Sequence, residues 1–247
     1  MPIATMGLIL RQIKVGEADR ILTILTPDLG VISASAKGSM RLKNKLFSAT
    51  GLFCYSEFSL TSGRSHYFID TAQIKNVFHG ISATVEGMGL ASYMAEIAAE
   101  LSPAPPESEA QLRLLLNCLY ALSKLDLPES QVKAVFELRA ACLSGYTPDL
   151  TGCHVCGSQT PERFDLSAGM LECRNCRSPE SNGIRMPVPP SVLEAMRYIC
   201  YCDSKKLFSF QAGEDTLQQL SEVTEAYLAT QLERGFSTLD FYKSLLI

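Results

Sequence analysis

Two Cys-x-x-Cys pairs are the residues of this chain whose type and spacing point most clearly to chemistry. They lie in TGCHVCGSQTPERFDLSAGMLECRNC, residues 151–176, where sixteen residues separate one pair from the other. Each pair can form a tight turn that presents two thiolates, and two such turns can complete a tetrahedral metal site. Four sulfur ligands favour Zn²⁺, with iron as the alternative. The predicted ligands are Cys153, Cys156, Cys173 and Cys176.

The predicted metal has a structural role, because a closed shell of four thiolates leaves no coordination position for water or substrate. His154 lies between the first two cysteines and is the alternative ligand. No P-loop, zinc-protease or serine-hydrolase motif occurs, so the sequence gives no positive case for catalysis. The remaining cysteines are interpreted as small buried hydrophobic residues, among which the last two stand out by their close spacing: Cys54, Cys118, Cys142, Cys200 and Cys202.

A second candidate site is a short basic segment, AKGSMRLKNKL, which spans residues 36–46 and contains no acid. Residues 1–80 hold nine Lys/Arg and five Asp/Glu, whereas the rest of the chain holds 13 and 21. A solvated loop is the alternative interpretation of such a run, but a basic first third favours an anionic partner. The residues predicted to contact a nucleic-acid backbone are Arg11, Lys14, Arg20, Lys37, Arg41, Lys43 and Lys45.

The predicted secondary structure changes from strands to helices at about residue 81. Residues 1–80 read as five short strands with tight turns, which predicts a small closed barrel. The second strand is apolar on both faces, so we expect both of its faces to be covered. Later segments have helical periodicity, which predicts helices over about 81–101, from 108, over 130–145, 191–202 and 215–234. Ser108 with Gln111 and Ser191 with Glu194 fit the capping-box pattern at two helix starts.

The location of the protein can also be predicted from the sequence. The N-terminal apolar stretch is short and lacks a preceding basic region, which does not fit a signal peptide. No apolar run approaches the roughly 18 residues that a membrane span needs. We therefore expect a cytoplasmic protein without a membrane partner, in which nine cysteines stay reduced and favour metal binding over disulfides.

Several ordered segments resemble the RecO family of bacterial recombination mediators. They are GLILRQIKVGEADRILTILTPDLGVISASAKG, then SMRLKNKL, GYTPDLTGCHVCG and GMLECRNC. The resemblance covers effectively the whole chain, and it implies an α+β fold in which a five-stranded OB-fold barrel precedes an α-helical domain with a four-cysteine zinc module. The implied division is residues 1–80 for the OB fold, 81–150 and 181–247 for the two parts of the helical domain, and 151–180 for the zinc module.

The resemblance also implies a function. Members of the family bind single- and double-stranded DNA, anneal complementary strands, and with RecR help to load recombinase onto DNA coated by single-strand-binding protein. It implies a nonenzymatic, nucleoid-associated protein with no small-molecule substrate. The family binds the acidic tail of single-strand-binding protein through its helical domain, and for that contact we predict Lys133 and Arg139 on the third helix.

Two other classes of function remain open at this point. One is a zinc-stabilised protein–protein adaptor that does not bind DNA directly. The other is an enzyme that acts through Cys-x-x-Cys redox chemistry or through an incomplete zinc shell. Salt-dependent DNA binding separates the mediator from the adaptor, and protection of all four thiols by metal counts against the enzyme.

Overall fold

The computed structural model describes residues 2–102, 105, 108–176 and 183–246. Residues 177–180 of the predicted zinc module lie outside the described residues. Two compact units are present, one of Met1–Lys124 with Asp240–Ile247 and one of Leu125–Leu239. The finer division into four segments stays a prediction. The predicted α+β fold class, a five-stranded barrel with helices and a four-cysteine cluster, is confirmed.

The barrel forms from the five predicted strands. They are β1 (Ile3–Val15), β2 (Asp19–Thr26), β3 (Gly30–Ala36), β4 (Cys54–Ser62) and β5 (Tyr67–Val77). Their order around the closed barrel is β1-β2-β3-β5-β4. Neighbouring strands are antiparallel except for β3 and β5, whose parallel pairing closes the barrel.

Alternation along the strands fills the barrel core. Leu22 and Ile24 of β2 point inward and are fully buried, together with Phe58 and Leu60 of β4. The prediction that β2 is covered on both faces is wrong at its N-terminal end, where Ile21 is 38% exposed. Because successive side chains alternate between faces, Ile21 lies on the outer wall of the barrel, which the interior core cannot cover.

The first unit also contains helices. The short helix α1 (Leu46–Ala49) follows the basic segment, and α2 (Val85–Leu101) and α3 (Ser108–Lys124) follow the barrel. The Thr84 hydroxyl caps α2 by accepting from Gly87 N at 3.0 Å, and the middle of α2 is buried as predicted. The capping box predicted at Ser108 is wrong, because among the described residues neither polar side-chain atom of Gln111 has a hydrogen-bond partner. The Ser108 hydroxyl donates to the Pro27 carbonyl oxygen at 2.8 Å.

Three long helices build the second unit: α4 (Glu129–Leu143), α5 (Pro190–Tyr201) and α6 (Glu214–Leu232). The last helix of the chain, α7 (Ser237–Ser244), was not predicted. The second predicted capping box is also wrong, because α5 begins at Pro190 and the hydroxyls of Ser191 and Thr216 lie 3.2 Å apart. Proline has no N–H group that would need an acceptor at the first helical position, and α5 begins without a side-chain cap.

Four short strands form a second sheet between α4 and α5. They are β6 (Asp149–Cys153), β7 (Arg163–Asp165), β8 (Met170–Glu172) and β9 (Arg185–Pro187), in the order β6-β8-β7-β9. We call these strands and the turns that join them the metal module. Across the described part of the chain, no helix combines the length and the apolar character needed to cross a bilayer.

Candidate functional site

The four predicted ligands come from two turns of the metal module. In the first turn, Gly157 N donates to the Cys153 carbonyl oxygen at 2.8 Å, and Gly157 adopts a φ of +73° that favours glycine. In the second turn, Cys176 N donates to the Cys173 carbonyl oxygen at 3.1 Å. The paired strands β6 and β8 end at Cys153 and Glu172, so the two turns meet at one end of the sheet.

The turns bring four sulfur atoms together. The Sγ atoms of Cys153, Cys156, Cys173 and Cys176 all lie within 4.8 Å of one another, and those of Cys156 and Cys173 are 3.7 Å apart. Sulfurs bound at ~2.3 Å around one tetrahedral ion are separated by roughly 3.8 Å, so the arrangement fits a metal ion. Among the described residues this group contains only cysteines, and His154 is exposed to solvent outside it.

The sulfurs differ in their ease of ionisation. Burial acts to raise the pKa of Cys153, but the N–H groups of Cys156, Cys173 and Val155 hydrogen-bond to its sulfur and bring the pKa down to about 6. A hydrogen bond with Cys156, together with desolvation, raises the pKa of Cys176 to about 12. Four adjacent thiolates repel one another, and a bound cation removes that repulsion, so metal binding and thiol deprotonation are coupled.

Buried polar contacts that the sequence did not reveal hold the metal module together. The guanidinium of Arg185 on β9 lies 2.7 Å from Glu172 on β8 and 3.4 Å from Asp165 on β7. All three side chains are largely buried, so the ion pairs tie the three strands together away from bulk water. On helix α6, Gln231 Nε2 donates to the Leu166 carbonyl oxygen at 2.7 Å, which holds the module against that helix.

The second candidate site is the basic loop, which we define as residues 37–45. The loop is fixed to the turn between β1 and β2, because Gly38 N donates to Asp19 Oδ1 at 2.7 Å and Met40 N donates to the Ala18 carbonyl oxygen at 2.9 Å. Asn44 fixes its far end by donating to the Lys37 carbonyl oxygen at 3.2 Å. The loop is thus a folded element of the barrel.

Six of the seven predicted DNA-binding residues are exposed to solvent: Arg11, Lys14, Lys37, Arg41, Lys43 and Lys45. Arg20 is half-buried, with Nη1 donating to Thr50 Oγ1 at 3.0 Å and the guanidinium over the Phe47 ring at 5.6 Å. Arg20 therefore has a role in holding α1, and its contact with DNA stays a prediction. Side-chain alternation places Arg11 and Lys14 on opposite faces of β1, so the six exposed residues do not form one continuous surface.

An aromatic side chain that the sequence could not assign completes this surface. Strand pairing aligns four residues across the outer wall of β1, β2, β3 and β5: Ile13, Ile21, Ser35 and Phe68. We call these four the outer-face row. Ile13 is 46% exposed, Phe68 is partly exposed, and the Lys37 ammonium lies 5.5 Å from the centre of the Phe68 ring. Tyr55 and Tyr67 are also partly exposed, whereas Phe58 belongs to the core.

The two predicted partner-binding residues on α4 have different environments. Lys133 is 4% exposed, and its ammonium lies 2.9 Å from both Glu137 and Glu225. This burial corrects the prediction that the charge of Lys133 is available to an acidic peptide. Arg139 is partly exposed, but its Nη1 donates to the carbonyl oxygens of Ile199 and Cys200 at the end of α5. The role of Arg139 in partner binding stays a prediction.

Comparison with known proteins finds one family along the chain. Residues 1–78 match the family model "Recombination protein O N terminal", and residues 83–240 match "Recombination protein O C terminal". The DNA repair protein RecO of Acetivibrio thermocellus is 34% identical, with 98% of this chain and 96% of the relative covered. That of Dehalococcoides mccartyi is 32% identical, with coverage of 98% and 95%. The chain therefore belongs to the RecO family of DNA repair proteins.

Proposed function

We propose that this protein binds DNA through the basic loop and the outer-face row of the barrel. The observation that carries this proposal is the position of Phe68, a partly exposed aromatic ring with the Lys37 ammonium 5.5 Å from its centre. A ring beside cationic side chains is the combination that binds single-stranded nucleic acid, because bases stack on the ring and phosphates pair with the cations.

The basic loop supports the phosphate contacts of this proposal. Arg41, Lys43 and Lys45 are exposed within a segment that hydrogen bonds hold against the β1–β2 turn. A loop fixed in this way loses little conformational entropy when it binds a DNA strand. Contacts to phosphates carry no sequence information, so we expect binding to DNA of any sequence.

The finer function that we propose is that of a nonenzymatic recombination mediator in the cytoplasm, associated with the nucleoid. The protein anneals complementary strands and, with RecR and the C-terminal tail of single-strand-binding protein as partners, helps recombinase to load onto DNA. Membership of the RecO family supports this role. A surface that binds backbones and stacks bases from one side leaves the pairing edges of the bases free, which annealing requires.

We further propose that the four-cysteine cluster holds Zn²⁺ with a structural role. Four thiolates are the ligand set of structural zinc sites, and a divalent cation in a closed shell offsets part of their negative charge. The ligands would be Cys153, Cys156, Cys173 and Cys176, and the bound ion would stabilise the fold of the metal module.

Photochemical cross-linking tests the proposed DNA surface. The protein is irradiated with a single-stranded oligonucleotide that carries 5-iododeoxyuridine, and the cross-linked peptides are identified by mass spectrometry. We expect cross-links at Phe68 and within residues 37–45. Phe68→Ala removes the first of these, and Tyr120→Ala, which alters an exposed aromatic residue of α3, leaves both unchanged. Cross-links confined to residues 125–239 would contradict the proposal.

Strand annealing separates the mediator from the adaptor that binds no DNA. Two complementary fluorescent oligonucleotides are mixed with the wild-type protein or with a variant in which Arg41, Lys43 and Lys45 are replaced by glutamine. A mediator accelerates annealing, and the variant loses most of that acceleration. Equal annealing rates with and without the wild-type protein, at low salt, would favour the adaptor.

A further inference from the structure

Two free thiols outside the metal cluster lie in contact between the two helices that flank the metal module. Cys142 lies in the last turn of α4 and Cys200 in the last turn of α5. They are 58 residues apart in sequence, yet their Sγ atoms lie within hydrogen-bond distance, 3.7 Å apart. The whole metal module lies between these two residues along the chain.

Neighbouring hydrogen bonds fix the two helix ends in this arrangement. Arg139 on α4 donates to the carbonyl oxygens of Ile199 and Cys200, which holds the end of α5 against α4. One turn earlier on α5, Arg197 Nε donates to the Leu150 carbonyl oxygen at 2.8 Å, where the chain enters the module. The sulfurs are therefore held next to each other by the surrounding contacts.

The two sulfurs are suited to different steps of an oxidation. Cys142 is partly exposed, and the hydrogen bond between the two thiols, aided by the Arg139 guanidinium, lowers its pKa despite burial. Cys200 is 8% exposed, and the contact with Cys142 together with burial raises its pKa. A reactive thiol next to a buried second thiol is the arrangement in which a sulfenic acid is resolved by a disulfide.

We propose that Cys142 and Cys200 are a modification site at which oxidation by a peroxide forms a disulfide between α4 and α5, the helices that flank the metal module. In the first step, the Cys142 sulfur attacks hydrogen peroxide, breaks the O–O bond, and yields a sulfenic acid and one water. In the second step, the Cys200 sulfur attacks the Cys142 sulfur, the S–O bond breaks, and a second water leaves with the Cys200 proton. The two thiols together lose two electrons, which reduce the peroxide.

The disulfide would restrain the module when its metal is absent. A covalent bond between residues that flank a long segment reduces the conformations open to that segment when it unfolds, and the effect grows with the length of the loop. With the metal removed, the reduced module is held by its short strands and their buried polar contacts, whereas the oxidised module also has a covalent bond between its flanking helices. We expect oxidation to slow proteolysis of the metal-free module roughly tenfold or more.

Peptide mapping tests the bond itself. The Zn²⁺-loaded protein is treated with hydrogen peroxide, alkylated, and digested with chymotrypsin, which cuts after Tyr146 and Tyr201 and so separates Cys142 from Cys153 and Cys200 from Cys202. We expect a peptide pair linked through Cys142 and Cys200 that a reductant separates. Oxidation of Cys142 to a sulfinic acid without this link, or a link from Cys142 to another cysteine, would overturn the proposal.

Three variants and one second readout complete the test. Cys142→Ser and Cys200→Ala abolish the linked peptide, whereas Cys202→Ser, which alters a partly exposed neighbour of the pair, retains it. Limited trypsin digestion after chelation then compares oxidised wild type with oxidised Cys142→Ser. Slower cleavage at Arg163 and Arg174 in the wild type supports the restraint, and equal rates would refute it.

Discussion

Replacing Lys133 by methionine tests how the second unit is held together. The Lys133 ammonium lies 2.9 Å from Glu137 on α4 and 2.9 Å from Glu225 on α6. The Glu137 side chain is fully buried and the Glu225 side chain is 22% exposed. Methionine keeps most of the apolar stem of lysine but removes the cation, so the substitution leaves two carboxylates close together without their common partner.

The expected loss of stability follows from these environments. Removing one partner of a buried ion pair costs about 3–5 kcal/mol, because the remaining charge has lost its hydration without compensation. The Thr224 hydroxyl still donates to Glu137 at 2.8 Å, which offsets about 1 kcal/mol of that cost. Water reaches part of Glu225, so that residue adds little. We therefore expect Lys133→Met to lower the free energy of unfolding by about 3 kcal/mol.

Urea unfolding followed by circular dichroism at the helical signal measures this change, since the chain contains no tryptophan. The matched control is Arg113→Met, because Arg113 and Glu109 form a pair with the same i,i+4 spacing whose side chains are 62% and 61% exposed. We expect that control to cost less than about 0.5 kcal/mol. A second variant, Lys133→Met with Glu137→Gln, should recover part of the loss. A loss below about 1 kcal/mol for Lys133→Met would show that the ion pairs of Lys133 contribute little to the stability of the second unit.

Three further predictions concern a glycine of the first unit, the pH dependence of stability and the metal site. Gly80→Ala should destabilise the first unit by about 1–3 kcal/mol, because the new Cβ would lie 2.2 Å from the Ser123 carbonyl oxygen. Thermal unfolding measures this loss. The control is Gly51→Ala, whose new Cβ would lie 3.7 Å from the nearest atom. Burial lowers the pKa of Lys133, but its two carboxylate partners raise the pKa by more than burial lowers it. The pKa of Lys133 therefore lies above the ordinary 10.5. The stability that Lys133 gains from its two carboxylate partners should therefore be fully present below pH 10.5 and fall as the pH rises through the folded-state pKa. Urea unfolding at several pH values measures this fall, which should be absent in Lys133→Met. Cys173→Ser should lower both the bound zinc measured by atomic absorption and the melting temperature, and an unchanged value of either would contradict the structural role of the metal.

The sequence predicted those features that depend on local patterns. Alternation identified the barrel strands, because Leu22 and Ile24 must share one face and Ile21 the other. The spacing of the cysteine pairs predicted a sulfur cluster, because each turn forms within a few residues and the intervening sixteen residues are enough to bring the turns together.

Features that depend on distant residues could not be predicted in this way. Lys133 has the spacing of a surface residue on a helix, and only the packing of α4 on α6 encloses it with Glu225. The serine of each predicted capping box contacts a residue that is distant in sequence. The Ser108 hydroxyl donates to the Pro27 carbonyl oxygen, and the Ser191 hydroxyl lies next to that of Thr216. The strands of the metal module other than β6 are three residues long, too short for alternation to reveal them.

The salt dependence of DNA affinity shows whether the basic loop contacts the DNA backbone. Fluorescence anisotropy of a labelled single-stranded oligonucleotide is measured from low to moderate salt for three proteins. They are the wild type, a variant with Arg41, Lys43 and Lys45 replaced by glutamine, and a control with Lys124, Lys205 and Lys206 replaced by glutamine. All six of these side chains are exposed, so the two variants lose the same number of surface charges.

Each phosphate contact contributes about −0.7 to the slope of log affinity against log salt for a single strand. We therefore predict that the loop variant loses about 2 units of slope relative to the wild type, whereas the control keeps the wild-type slope. Equal slopes for the loop variant and the wild type would mean that the basic loop makes no contact with the DNA backbone, which would refute DNA binding through the loop.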